Sequence, residues 1–129
     1  MGIIQEFLIE GYNDSHVDSY FKYMVDVAQA LGADNVTAHN EMKAALDFEI
    51  ELAKAMMPRV DRRNLTIILN RLTVQEIQSR FPYLNWLDYI NKLMPRHVQI
   101  SKDEVLSVTS IEFLTNLERL LKVTPKRYD

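Results

Sequence analysis

Three histidines and a scatter of carboxylates are the side chains of this sequence with the most chemistry in them. Metal-assisted hydrolysis on a helix needs two imidazoles at i and i+4 with a glutamate beside them to work on the metal-bound water. His16, His39 and His97 stand far apart, and His39-Asn40-Glu41 lacks the second histidine. The carboxylate pairs Asp47/Glu51 and Glu49/Glu51 fall on a helical stretch, where they read as solvated or half-buried groups and not as an acid–base pair. The sequence has no cysteine, which removes disulfides, thiolate metal ligands and cysteine nucleophiles. It has no G-x-S-x-G, no P-loop and no G-x-G-x-x-G, and only three glycines in all. No catalytic, cofactor-binding or metal-ligating residue is therefore assigned.

The elements explain what these residues do instead. Asn13, Asp14 and Ser15 offer helix caps, and Val17, Tyr20, Phe21, Met24, Val27, Ala28 and Leu31 follow as one helical stripe up to Gly32, a C′ glycine. This spacing predicts a helix over Ser15–Leu31. Thr37 is the expected cap of the next helix, with Met42, Ala45, Leu46, Glu49, Leu52, Ala53 and Met56 on one face and Pro58 as its stop. Ile3–Ile9 is apolar but short, and reads as a strand, a docked terminal arm or a remnant of something longer. Asn64–Asn70 reads as a helical turn or an extended segment, because its apolar residues are too uniform for periodicity to decide.

The stretch from Arg62 to Asn91 is the densest. Thr73-Val74-Gln75-Glu76 has the form of a capping box. Phe81-Pro82 closes that helix, since proline excludes the α region from the residue before it. Asn85 caps a second short helix in which Trp86, Tyr89, Ile90 and Leu93 recur at helical spacing. His97–Ile100 and Val105–Val108 are β-prone runs expected to form a small hairpin or a two-stranded ribbon. Thr109-Ser110-Ile111-Glu112 has the form of a second box, followed by a stripe of Ile111, Leu114, Leu117, Leu120 and Leu121 that Pro125 ends. The expected fold class is mainly α: a bundle-like segment of about five helices with one short β-hairpin, residues 1–129 forming a single domain. Tyr20, Phe21, Phe48, Phe81, Tyr83, Trp86, Tyr89 and Phe113 then read as core, with Trp86 as its anchor in the central stretch.

Glu49 is the anomaly, a carboxylate within an apolar stripe. It either lies at the stripe's edge and reaches water or is buried with a partner, for which Arg62 and Arg63 are the candidates. A net charge of −3 with scattered Lys and Arg argues against nucleic-acid binding. No apolar run approaches the ~18 residues needed to span a bilayer, and no targeting segment is recognised. Asn13, Asn35 and Asn64 head three Asn-x-Ser/Thr sequons, which point to a secretory route, whereas the absence of cysteine leans toward a reducing compartment.

An ordered series of short matches resembles the neprilysin and endothelin-converting-enzyme family of zinc metallopeptidases. It comprises Tyr20-x-x-Tyr23-Met24, Phe48-Glu49-Ile50-Glu51-Leu52-Ala53, Arg62-Arg63-Asn64, Asn70-Arg71-Leu72-Thr73, Pro82 to Asn91 around Asn85-Trp86, and Leu114 to Pro125. Leu69 departs from the family's Tyr before Asn70. The resemblance places this segment in the N-terminal half of an ectodomain, in a helical lobe that covers the catalytic lobe. It implies a parent that is extracellular or membrane-anchored and that cleaves small peptides with zinc-activated water. The zinc and catalytic residues lie beyond this chain, so the chain alone is expected to be inactive and to hold no cofactor. Its expected partner is the remainder of the ectodomain, with self-association of the isolated fragment. The alternative is a stand-alone helical interaction module without enzymatic activity.

Overall fold

The computed structural model describes residues 3–57 and 69–126, and its contacts divide the chain into two units, Met1–Met56 and Met57–Asp129. The first unit is three helices and a 3₁₀ turn. Ile3–Ile9, left open by its composition, forms most of a helix, α1, Gln5–Glu10. Gly11, at φ 64°, breaks it and begins the 3₁₀ turn Gly11–Asn13. The helix α2 runs Ser15–Ala30, with Asp14 as N-cap accepting from the His16 amide. Its end is a Schellman turn: Gly32 at φ 105° donates to Gln29 O and Ala33 donates to Ala28 O.

The next helix, α3, is Asn35–Ala55, and its cap is Asp34, not Thr37. The Asp34 carboxylate accepts from the Thr37 amide at 3.0 Å, so Thr37 is the third helical residue. The buried face is also rotated from the expected stripe. Ala38, Leu46, Ile50 and Ala53 are buried while Ala45 is exposed. Leu46, Ile50 and Ala53 form a core with Leu8 and Val17, against which Phe7, Tyr20, Phe21 and Met24 pack.

Gln5 explains why a six-residue helix holds here. A helix leaves its last carbonyls without internal partners. The buried Gln5 amide nitrogen donates to Ala53 O at 2.9 Å and to Met56 O at 3.0 Å, closing the end of α3. Gln5→Leu keeps the bulk but leaves these carbonyls without that donor. It is expected to cost about 1–3 kcal/mol, read as a shift in urea midpoint. A shift equivalent to less than ~0.5 kcal/mol would show that water replaces the amide.

The second unit begins with β1, Asn70–Thr73, paired antiparallel with β2, Val105–Val108, so that Asn70 faces Val108 and Thr73 faces Val105. The expected hairpin between His97–Ile100 and β2 does not form. His97–Ile100 lies in no strand, and β2 takes as its partner β1, more than thirty residues earlier. Helix α4 is Val74–Arg80, α5 is Trp86–Leu93 and α6 is Ile111–Val123. The fold is mainly α, with six α-helices among the described residues.

The Thr73 box is complete, with Glu76 N donating to Thr73 Oγ1 and Thr73 N to Glu76 Oε2. The second box differs from its expected form: Ser110, not Thr109, caps α6 and accepts from the Phe113 amide. Hydrogen bonds from Thr73 hold the Glu76 carboxyl below its usual range, and those from Thr37 do the same for Asp34. Depressed folded-state values mean stability that is present above the unfolded carboxylate pKa of about 4 and lost as pH falls through the folded values. Thermal midpoints should therefore drop on acidification below about pH 4. In Glu76→Gln, which keeps an acceptor for the Thr73 amide but does not titrate, the Glu76 share of that drop should vanish; an unchanged pH profile in the variant would refute the assignment.

Candidate functional site

The titratable side chains are spent on local structure. His16 stacks on Phe7, with ring centroids 4.1 Å apart, and its Nδ1 lies 3.0 Å from Asp14 Oδ1. His39 meets the Phe21 ring edge-on at 5.1 Å. His97 sits in an exposed turn after Pro95. No group of three His, Cys, Asp or Glu able to hold a metal occurs among the described residues. Asp47 accepts from Tyr12 Oη at 2.8 Å and from Lys43 Nζ at 2.9 Å. Burial pushes the Asp47 carboxyl up, but these two donors outweigh it and hold it low. Burial, reinforced by the bond to Asp47, raises the Tyr12 phenol above its usual range. Glu51 pairs with Lys54 at 2.7 Å. Asp47 and Glu51 are thus each committed to a neighbour on or beside their own helix.

The most elaborated place is the turn between α4 and α5. Pro82 prevents α4 from continuing, and the chain must re-enter a helix within a few residues. Gln78 clamps both sides of that turn. Its amide nitrogen donates to Leu84 O at 3.0 Å, and its oxygen accepts from the Trp86 amide at 2.9 Å. Asn85 caps α5 by accepting from Asp88 N. Trp86 is half-buried against Leu72, Ile77 and Phe81, and its indole nitrogen donates to Phe81 O at 2.7 Å. Asn91 brackets Ile100 with two bonds, accepting from its amide at 2.7 Å and donating to its carbonyl at 3.1 Å, like one rung of a sheet. Tyr83 reaches across to donate to Leu121 O in the last turn of α6. The Pro-x-Leu-Asn-Trp run and the later Asn are therefore a connected set of turn, cap, anchor and staple.

A solvent-open groove of about 600 Å³ lies beside this turn, lined among others by Gln75, Gln78, Pro82, Tyr83, Leu87 and Lys102. Its size suits a ligand cleft, but among the described residues Lys102 is its one charged lining residue, and these residues gather no acid–base or nucleophilic set there. Glu118 stands nearby with Oε1 on Lys122 Nζ at 2.6 Å and Oε2 buried.

Glu49 is half-buried on α3. Its candidate partners Arg62 and Arg63, like Asn64, lie outside the described residues. Asn13 and Asn35 are both exposed. Sequence reasoning missed Gln5, Gln78, Tyr83 and Asn91 as organising residues. Periodicity tracks apolar side chains and is blind to amides whose partners are backbone atoms elsewhere in the chain.

The family model for the N-terminal part of peptidase family M13 matches residues 5–128. The chain belongs to peptidase family M13. Neprilysin-2 of Drosophila melanogaster is 36% identical over 127 residues, which are 98% of this chain and 16% of that protein. The endothelin-converting enzyme homolog of Locusta migratoria is 32% identical over 117 residues, 90% of this chain and 16% of its own length. Human endothelin-converting enzyme 1 is 30% identical over 115 residues, 88% of this chain and 15% of its own. This M13 segment thus spans about one-sixth of the length of the curated relatives it matches. The resemblance to the neprilysin and endothelin-converting-enzyme family stands.

Proposed function

We propose that residues 1–129 are one part of the non-catalytic helical lobe of a neprilysin-like zinc metalloendopeptidase, a secreted or membrane-anchored ectodomain that cleaves small peptides. The carrying observation is the family match across residues 5–128, together with 36% identity to a neprilysin of which the chain spans 16%. The helical fold supports the reading. So does the surface, on which Tyr23 is 64% exposed and Leu93 64%, and on which no residue of α5 or α6 is fully buried. Apolar faces of this kind suit packing against further parts of a larger body, which is the partner this reading assigns.

The described residues offer no fitting zinc site, since His16, His39 and His97 each sit apart from any ligand cluster. No hydrolytic step is routed through this chain. In the parent, zinc and its activated water belong to a His-Glu-x-x-His helix elsewhere, and this segment's role is to build the wall that restricts access. No described helix is long and apolar enough to cross a membrane.

The open reading frame tests the reading. A His-Glu-x-x-His within several hundred codons downstream of Asp129 is the expected result. A stop codon directly after Asp129 would instead favour a stand-alone helical interaction module. The chain alone should bind no stoichiometric zinc and cleave no peptide. Isothermal titration showing sub-micromolar, one-to-one zinc would overturn that part.

A further inference from the structure

The groove beside the α4–α5 turn holds about 600 Å³ and, among the described residues, is lined by one cation and no carboxylate. The cation is Lys102. Its carbonyl accepts from the Gln75 amide at 2.9 Å, which ties its backbone to the first turn of α4. Its side chain is exposed, and its ammonium meets no carboxylate of a described residue. Lys22, Lys43, Lys54, Lys92 and Lys122 differ, each pairing with an acid on its own helix at 2.6–2.9 Å. Asp103 and Glu104 follow Lys102 in the chain, but neither lines the groove.

The neighbouring polar groups are mostly donors without acceptors. Asn85 spends its Oδ1 on the Asp88 amide and donates through Nδ2 to no described residue. The backbone amides of Tyr83 and Leu87, which also line the groove, donate to no described residue either. Gln78 is already committed at both ends of its amide. Gln75 Oε1 is an open acceptor, since only its Nε2 is engaged, at 3.4 Å from Ser79 Oγ. Pro82 and Leu84 supply apolar wall between these groups. A lysine alone on a surface is merely hydrated. Here it shares a ligand-sized groove with open amide donors, one open acceptor and an apolar wall, and no anion of the described chain competes for it.

We propose that this groove binds an acidic peptide segment. A side-chain carboxylate sits on Lys102 Nζ and the Asn85 amide, where the hydrogen bonds are charge-assisted. A peptide N–H donates to Gln75 Oε1, and the residue beside the acid lies on Pro82 and Leu84. A free inorganic anion would use only the donors and would leave the acceptor and the apolar wall idle. The binding requires nothing of the parent's peptidase activity.

The test titrates an acetylated, amidated Glu-Leu-Glu tripeptide into the isotope-labelled chain and follows amide shifts. Saturating shifts at Asn85, Leu87 and Lys102 are expected at millimolar probe, with the neutral Gln-Leu-Gln tripeptide several-fold weaker. Lys102→Gln should weaken the acidic probe about fivefold, the upper end for an exposed ion pair, and should flatten its salt dependence. The substitution leaves the carbonyl that Gln75 donates to, and unshifted amides away from the groove confirm the fold. Lys22→Gln removes the same charge from α2 and should leave the affinity unchanged. Absence of saturation, equal binding of the two tripeptides, or equal losses in the two lysine variants overturns the proposal. So does inorganic phosphate that saturates the same amides as tightly as the acidic tripeptide, since the groove would then be a simple anion site.

Discussion

Leu46→Ala lowers stability by about 2–5 kcal/mol, the range for emptying a fully buried leucine site. Leu46 is 0% exposed and lies in the cluster that joins α1, α2 and α3. The effect belongs at the upper end of the range if the cavity persists, because the facing residues Leu8, Val17 and Ala53 sit on three different helices and cannot all collapse inward. Far-UV circular dichroism in urea measures it. Leu31→Ala is the control, since Leu31 is almost fully exposed and its truncation should stay within ~0.5 kcal/mol. Equal midpoints for the two variants would mean that Leu46 is not where the packing energy of this unit resides.

Trp86→Ala costs about 3 kcal/mol, toward the low end of the range for buried tryptophan because the ring is half-exposed. Two losses add up. The ring leaves its contacts with Leu72, Ile77 and Phe81 and its edge-on contact with Tyr89 at 6.2 Å. The Phe81 carbonyl also loses the indole donor at 2.7 Å, at the turn that Pro82 forces. Trp86→Phe separates these, since it keeps most of the ring and removes the hydrogen bond, for about 1 kcal/mol. Far-UV dichroism is the readout, as Trp86 is the sole tryptophan and fluorescence disappears with it. A loss in Trp86→Ala of less than ~1 kcal/mol would show that Trp86 does not anchor this unit.

Where a helix is specified by its own residues, it was legible. The Thr73 box, the Asn85 cap, the Gly32 turn and the stops at Pro82, Pro95 and Pro125 are all local chemistry, and each appears where spacing places it. Asp34 and Thr37 show how this fails. Both are good caps three residues apart, and the choice falls to Asp34 because its carboxylate accepts from the Thr37 amide. β1 was illegible for a different reason. Asn-Arg-Leu-Thr turns only Leu72 firmly inward, and its partner lies more than thirty residues away, where no turn chemistry connects the two. α1 depends on Gln5 finding the end of α3, which no periodicity in Ile3–Ile9 can express. The site residues divide in the same way: Asn85 announces itself as a cap, whereas Gln78 and Asn91 act only through distant backbone atoms.

The start of α4 is closed by another part of the chain. The Val74 amide donates to Glu104 O at 3.0 Å and the Gln75 amide to Lys102 O at 2.9 Å. In a lone helix both protons would exchange freely with solvent, being first-turn amides with no internal acceptor. Here they are shielded only while residues 102–104 stay docked, after a loop of nearly thirty residues has closed. Closing such a segment carries an entropy cost that grows only slowly with its length. Val74 and Gln75 are therefore two built-in reporters. Their hydrogen exchange times the opening of the β1–β2 pairing, while amides deeper in α4 time the melting of the helix itself.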